Sequence, residues 1–321
     1  MNVYDKHGAK NNIEKVVIYV ILILFTFMAL YPLLWLFLSS LKTTPQYLKT
    51  SRLSVPLPAA LAYKCNRGEY LDYLKNCAIN CIRPESLADH NVKWATMTFV
   101  NYPRAWQIGH FGILFFNSIL YTGITTIAIL YFSIAAGFSF SKLRCKATGF
   151  IYKSFVIGVL ITLQCILIPL FFMANWSGLY NTRVGILICY IGIGLPMGVY
   201  LATEFVRSIP TSLIESARID GAQFMKIFVS IIFPMAKPVG VTLAILNIAG
   251  TWNEFMLVNI LASDLQIKSL PVGIQSFSGA LASDYGKQFA ALIIGVVPMI
   301  VFYIIFRKQI TKGVAAGAVK G

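Results

Sequence analysis

The sequence predicts an all-α integral membrane protein, on the strength of its composition, its long charge-free runs and the distribution of its basic residues. Of 321 residues, 57% are hydrophobic and 12% charged, against about 25% charged in a soluble domain. A membrane span takes about 20 mostly apolar residues. Runs of that kind occur at 16–41, 111–141, 154–182, 184–203, 238–263 and 288–306. The fifth run carries one carboxylate, Glu254, near its far end. With the N-terminus inside, segments 1–15, 142–153, 204–237 and 307–321 hold 3, 4, 4 and 4 Lys/Arg, while the short outer loops hold only Arg183, Lys268 and Lys287. This asymmetry is the positive-inside pattern. It accounts for the net charge of +15 without nucleic acid, which calls for a basic stripe or patch instead.

The first element is a short basic tail, 1–15, followed by span 16–41. That apolar run of 26 residues exceeds the roughly 7–15 of a signal-peptide core, and no small-residue cleavage site follows it, so it reads as an uncleaved anchor. Residues 42–110 form a long extracytoplasmic loop. Its nine Lys/Arg weigh little, because the charge rule is counted over loops of up to about 60 residues. Its middle, at about 60–95, mixes Cys, Asn and charges without apolar periodicity. It is either a small external cap or a variable, solvated insertion. Cys65, Cys77 and Cys81 lie there and are the only cysteines that meet an oxidising compartment. One disulfide with a thiol left over and three unpaired thiols both stand. His90 is the single nearby histidine, so no zinc-ligand set accompanies them.

Residues 111–306 then form a block of five spans with short connections, ending in a tail at 307–321. Within the fourth span, Gly194-Leu195-Pro196-Met197-Gly198 gives a small-xxx-small surface and a proline kink, which reads as close helix packing. The one long polar interruption is 204–238. Ser212 precedes Glu215 by three residues, the spacing of a capping box at a helix start. The helix is expected to end at Asp220-Gly221, where glycine adopts the positive φ that turns the chain. A second helix follows with Phe224, Ile227, Phe228, Ile231 and Ile232 on one face, until Pro234 stops the pattern.

This hairpin resembles the EAA loop of ABC importer membrane subunits, whose usual form is E-A-A, three residues, G, and later L-P. The matching residues are Glu215-Ser216-Ala217, Asp220-Gly221-Ala222 and Phe233-Pro234, with Ser216 in place of the first alanine. The longer IESARIDGA, Trp252-Asn253-Glu254-Phe255 and Gly317 to Gly321 are similar to the maltose-type carbohydrate-uptake branch. The likeness covers about 12–321 apart from the insert. It implies six transmembrane helices in the cell membrane, both termini cytoplasmic, with a cytoplasmic coupling hairpin between helices 4 and 5. It also implies a second permease subunit, forming a heterodimer, together with two cytoplasmic ATPase subunits and an extracytoplasmic substrate-binding protein. ATP and Mg would be used by the ATPase, and the chain itself would hold no cofactor. The coupling residues implied are Glu215, Ser216, Ala217, Asp220, Gly221, Ala222, Phe224 and Pro234.

An acidic residue in a span is rare and often functional. Two readings of Glu254 stand beside Trp252 and Asn253. Either the carboxylate reaches the interface next to a belt tryptophan, or Asn253 and Glu254 line a polar path for a hydroxyl-rich solute, whose C–H faces suit aromatic rings. Asn117 in the second span is an interhelical hydrogen bond or a further path residue. A P-loop needs G-x-x-x-x-G-K-[ST]. The nearest approach, Gly279 to Gln288, spaces its glycines by six residues and has Gln288 where a hydroxyl belongs, so the chain reads as a transport subunit without its own ATPase motif. Two alternatives remain. An ABC permease for another small solute shares the hairpin. An ion-coupled secondary transporter calls for more ionisable residues in spans and for internal repeats.

Overall fold

The computed structural model describes residues 4–42, 47, 99–142, 147–280 and 284–318. The insert at about 60–95, Cys65, Cys77, Cys81, Cys145 and the final residues 319–321 lie outside them. Among the described residues every regular element is helical. They run α1 (Tyr4–Ser40), α2 (Asn101–Ile108), α3 (Phe111–Lys142), α4 (Thr148–Val159), α5 (Leu163–Trp176), α6 (Arg183–Arg207), α7 (Thr211–Ile219), α8 (Phe224–Met235), α9 (Lys237–Asn253), α10 (Met256–Leu261), α11 (Leu270–Ala280) and α12 (Tyr285–Ala318).

Four helices are long and apolar enough to cross a membrane: α1 from Lys15, α3, α6, and α12 as far as Gln309. Two helix pairs reach that length only jointly, α4 with α5 bent by 108° and α8 with α9 bent by 69°. Two expected spans are each interrupted by a break. The 154–182 run is broken at 160–162, where Thr162 is extended (ψ 147) ahead of α5. The 238–263 run is broken at Glu254, also extended (ψ 127), between α9 and α10. Neither break has the glycine or proline that announces one in sequence. Helices α1 and α12 also run further than the apolar stretches, starting at Tyr4 and reaching Ala318.

The chain forms two compact units. One comprises Met1–Gly109 with Phe277–Ile294. There Asn101, at the start of α2, donates its Nδ2 to the carbonyl oxygens of Ser40 (2.7 Å) and Lys42 (2.9 Å). These groups close α1, whose last carbonyls have no partner within the helix. Ser40 Oγ and Tyr102 Oη share a further bond of 2.6 Å. Trp35 meets Phe289 edge-on at 5.4 Å, and Gly286 admits the Lys42 carbonyl where any side chain would collide.

The second unit comprises His110–Ser276 with Gly295–Gly321, and its framework is the packing of α3 on α6. A Cβ on Gly137 would lie 2.8 Å from the Ala202 carbonyl carbon and 2.9 Å from the Thr203 nitrogen. One on Gly194 would overlap Ile129, and one on Gly198 would overlap Ser133. The pairing of Gly194 with Gly198 is thus a true close-approach surface, as the spacing predicts. Helix α9 joins the pair. An inner apolar cluster of Phe138, Val206, Ile209, Ile227, Ile232 and Leu243 forms beside one end of it. An outer cluster of Tyr121, Ile186, Tyr190, Leu257, Leu261 and Val272 forms beside the other.

Gly198→Val is expected to destabilise the protein by about 1–3 kcal/mol through overpacking against Ser133 and Ile129, whereas Gly192→Ala, with nothing within 4 Å, is expected to be neutral or mildly stabilising. Thermal unfolding of the detergent-solubilised protein checks the pair; equal midpoints for both variants would contradict the packing account.

Candidate functional site

The hairpin after α6 is built by local chemistry. Helix α7 ends at Ile219, and Gly221 follows with φ +76. The Gly221 N–H donates to the Arg218 carbonyl (3.0 Å) and the Ala222 N–H to the Ala217 carbonyl (2.9 Å). This pair of bonds is a Schellman motif, which satisfies carbonyls that a helix end leaves unpaired. Asp220, Gly221 and Ala222 therefore occupy the C-cap and the two positions after it, and Ala217 supplies the accepting carbonyl. Ala217 and Ile214 turn inward to the core cluster, with Ala222 packed partly buried against it. Glu215, Ser216, Arg218 and Asp220 face out. Among them Ile219 is 86% exposed, and Leu213 and Met225 are exposed nearby. The result is an apolar tip framed by charges on a turn of fixed geometry.

The predicted capping box does not form. Pro210, not Ser212, is the N-cap residue, and α7 begins at Thr211 with no side-chain cap bond, so Ser212 lies one residue inside the first turn. Nor does Pro234 stop α8. A π-turn at Phe228–Ile232, closed by the Phe233 N–H on the Phe228 carbonyl, precedes it. In a regular helix the proline ring meets the carbonyl four residues back; the wider turn relieves that clash. The chain bends after Met235, and Ala236 sits fully buried at the corner. The apolar face of α8 is as predicted: Ile227, Phe228 and Ile232 are buried and Ile231 half-buried, while Phe224 remains 40% exposed. Phe138 of α3 stacks on Phe224 at 4.7 Å and on Phe228 at 5.9 Å.

Two side-chain grips hold the end of α6 and the strap that joins it to α7. Lys142, the last residue of α3, donates its Nζ to the carbonyl of Ile209 (2.6 Å) and, at 3.4 Å, to that of Arg207. A cation is favourable at a helix C-terminus, and a hydrogen bond to a charged group contributes about 1.5–3 kcal/mol. On the other side Tyr152 of α4 donates to Glu204 Oε1 (2.8 Å), which also pairs with Arg207 Nη1 (2.8 Å). That ion pair is about half exposed, so it contributes about 0–1 kcal/mol.

A cavity of about 220 Å³ opens between α3, α6 and α9. Its polar groups are Tyr190, Asn247, Thr251 and Glu254, set among Ile129, Ile193, Met197 and Leu246. Glu254 Oε2 accepts from Tyr190 Oη (2.9 Å), and Oε1 accepts from the Leu257 N–H (2.8 Å). The carboxylate thus joins α6 to the first turn of α10 across the break in the fifth run. Asn247 Nδ2 donates to Thr126 Oγ1 of α3 at 2.8 Å.

Of the four path residues named from sequence, Glu254 lines this cavity and the other three do not. Asn117 is fully buried and donates to the carbonyls of Gln266 (2.8 Å) and Lys268 (3.0 Å), fastening the loop before α11. Trp252 is buried edge-on against Phe115 at 5.6 Å, which is no interfacial belt position. Asn253 is exposed and bonds back to the Ala249 carbonyl. Sequence reasoning missed Asn247, Thr251 and Tyr190. An amide within an apolar run was the available signal for Asn247; nothing local marks the other two.

The model of the binding-protein-dependent transport system inner membrane component family matches residues 147–313. The chain belongs to this family. The multiple sugar-binding transport system permease protein MsmG of Streptococcus mutans is 36% identical over 228 residues, covering 70% of this chain and 82% of its own. The trehalose transport system permease protein SugB of Mycobacterium tuberculosis is 31% identical over 229 residues, covering 71% and 84%. A bacterial ABC transporter involved in import of the acidic polysaccharide alginate matches in fold, with a TM-score of 0.72 and 21% identity over 93% of this chain and 97% of that one. The family is one of transport subunits in the inner membrane, so the helix-lined cavity and the exposed hairpin belong to a permease of an importer.

Tyr190→Phe is expected to cost about 1–3 kcal/mol by leaving Glu254 one donor short, while Asn253→Ala stays within about 0.5 kcal/mol. Denaturation of the solubilised protein distinguishes them; a Tyr190→Phe variant as stable as wild type would mean that the Tyr190–Glu254 bond contributes nothing.

Proposed function

We propose that this chain is one of two membrane subunits of an ATP-driven importer, and that it passes a sugar or oligosaccharide delivered by an extracytoplasmic binding protein. The observation that carries this reading is the α7–α8 hairpin: a Schellman turn at Gly221 that presents Ile219, Leu213 and Met225 among Glu215, Arg218 and Asp220, backed by the core of α3, α6 and α9. An apolar tip with a charged rim suits a protein groove. Because the hairpin is continuous with the helices around the cavity, an ATPase pair that closes on ATP would move it as one body and change access to the cavity.

In this reading α4 with α5 forms one bent span and α9 with α10 another, giving six, with the α7–α8 hairpin and both termini in the cytoplasm. ATP and Mg are bound by two ATPase subunits, the present chain contributing no ATPase motif. A second, different permease subunit completes the path. The sugar assignment draws on the relatives' substrates and on the cavity chemistry. Tyr190, Asn247, Thr251 and Glu254 offer donors and acceptors for hydroxyl groups, and Ile193, Met197 and Leu246 offer apolar walls for ring C–H faces.

Gly221→Val imposes a positive φ on a β-branched residue, at a cost of about 1–2 kcal/mol or more, and is expected to abolish co-purification of the ATPase together with uptake. Wild-type levels of both in that variant would sink the docking role. Orientation is tested separately. A cysteine placed at Ser263 should react with an impermeant thiol reagent on intact cells, and one at Ile219 only after permeabilisation; the reverse pattern would invert the topology.

A further inference from the structure

We propose that Lys142 is a positioning residue for energy coupling, holding the strap 207–210 so that displacement of the hairpin is delivered to α3 and through it to the cavity. The inference rests on the docking reading of the hairpin and adds the route by which its movement leaves it. The strap is short. Helix α6 ends at Arg207 and α7 begins at Thr211, so α7 is joined to α6 only through Ser208, Ile209 and Pro210. Ile209 is buried in the inner cluster beside Val206 and Ile214. Its carbonyl and that of Arg207 are taken by the Lys142 ammonium, from a helix that ends 65 residues earlier in sequence.

Continuity selects α3 as the receiving element. Four helices contribute to the cavity wall, and α5, which reaches it with Leu163, contains Pro169. Helix α6 contains Pro196, and α9 is bent from α8 at one end and broken at Glu254 at the other. Helix α3 runs unbroken for 32 residues with no proline. Along that length it carries Lys142 at the strap, Ile129 in the cavity wall and Thr126 bonded to Asn247. Five residues before Lys142, Gly137 sets α3 in backbone contact with Ala202 and Thr203 of α6, which brings the ammonium within reach of the strap. The pair of carbonyls also makes the grip directional: a cation held by two backbone oxygens follows the strap itself, independent of any side-chain rotamer there.

The experiment uses the assembled transporter with its ATPase and binding protein in proteoliposomes, comparing wild type with Lys142→Met, Lys142→Gln and Lys142→Arg. Met keeps the length and apolar stem but has no donor. ATPase co-purification and ATP hydrolysis are expected to persist in Lys142→Met while solute taken up per ATP hydrolysed falls about tenfold, the scale of one lost charged hydrogen bond. Lys142→Arg is expected to restore the ratio. An unchanged ratio in Lys142→Met would overturn the proposal, including the case where uptake and hydrolysis fall together. If Lys142→Met does not accumulate, the ratio is read on Lys142→Gln. Loss of both variants from the membrane would make Lys142 a folding residue and also overturn it. Failure of the wild-type protein to retain the ATPase would instead defeat the docking reading.

Discussion

The second unit depends on the backbone-to-backbone approach of α3 and α6. In a bilayer, helices gain nothing from the hydrophobic effect when they associate, because lipid tails are as apolar as leucine; dispersion at short range and interhelical hydrogen bonds must do the work. Gly137, Gly194 and Gly198 remove the side chains that would hold the two helices apart. The other features near the hairpin follow from that approach. Phe138 follows Gly137 and is carried to where it stacks on both Phe224 and Phe228. Ile129 faces the cavity from across Gly194.

The hairpin's signature residues acquire separate physical meanings in this frame. Gly221 is required by its positive φ. Ala217 is required twice, since its carbonyl accepts the closing bond of the turn while its side chain faces the core, where a larger residue would lift α7 from the cluster that contains Val206 and Ile209. Glu215 and Ser216 turn outward and contribute nothing to the core, so their value lies in what they present. The replacement of alanine by serine at 216 therefore falls at an exposed position, where a hydroxyl needs no internal partner.

What was legible in the sequence was local. The turn at Gly221, the apolar face at Ile227, Phe228 and Ile232, the close approach at Gly194 and Gly198 and most of the apolar runs each follow from a few neighbouring residues. The failures were set by distant ones. Ser212 and Glu215 have capping-box spacing, but burial of Ile209 and the fixed φ of Pro210 start the helix two residues earlier. The break at Glu254 is stabilised by Tyr190, 64 residues away, and no local residue announces it. Asn117 and Asn247 look alike in sequence, each an amide in an apolar run. Only the fold separates an amide that fastens a loop from one that faces a cavity. A coupling role for Phe224 and Pro234 rests on resemblance; what geometry adds is that one stacks on α3 and the other sits beyond a widened turn.

The polar bonds of α3 follow a common pattern. Asn117, Ser118 and Tyr121 hold the segment 266–270 that follows the α10 break. Thr126 holds Asn247 in the helix broken at both ends. Lys142 holds the strap that precedes the hairpin. In each case the unbroken helix bonds to a segment that is bent, broken or non-helical. Backbone groups outside a regular helix need partners, and α3 supplies them at 266–268, at Leu270 and at the strap. The breaks lie at 160–162, at Ala236 and at Glu254, while α3 has none. Rearrangement at any of them can proceed without breaking the glycine contact of α3 with α6, because that contact involves none of the three.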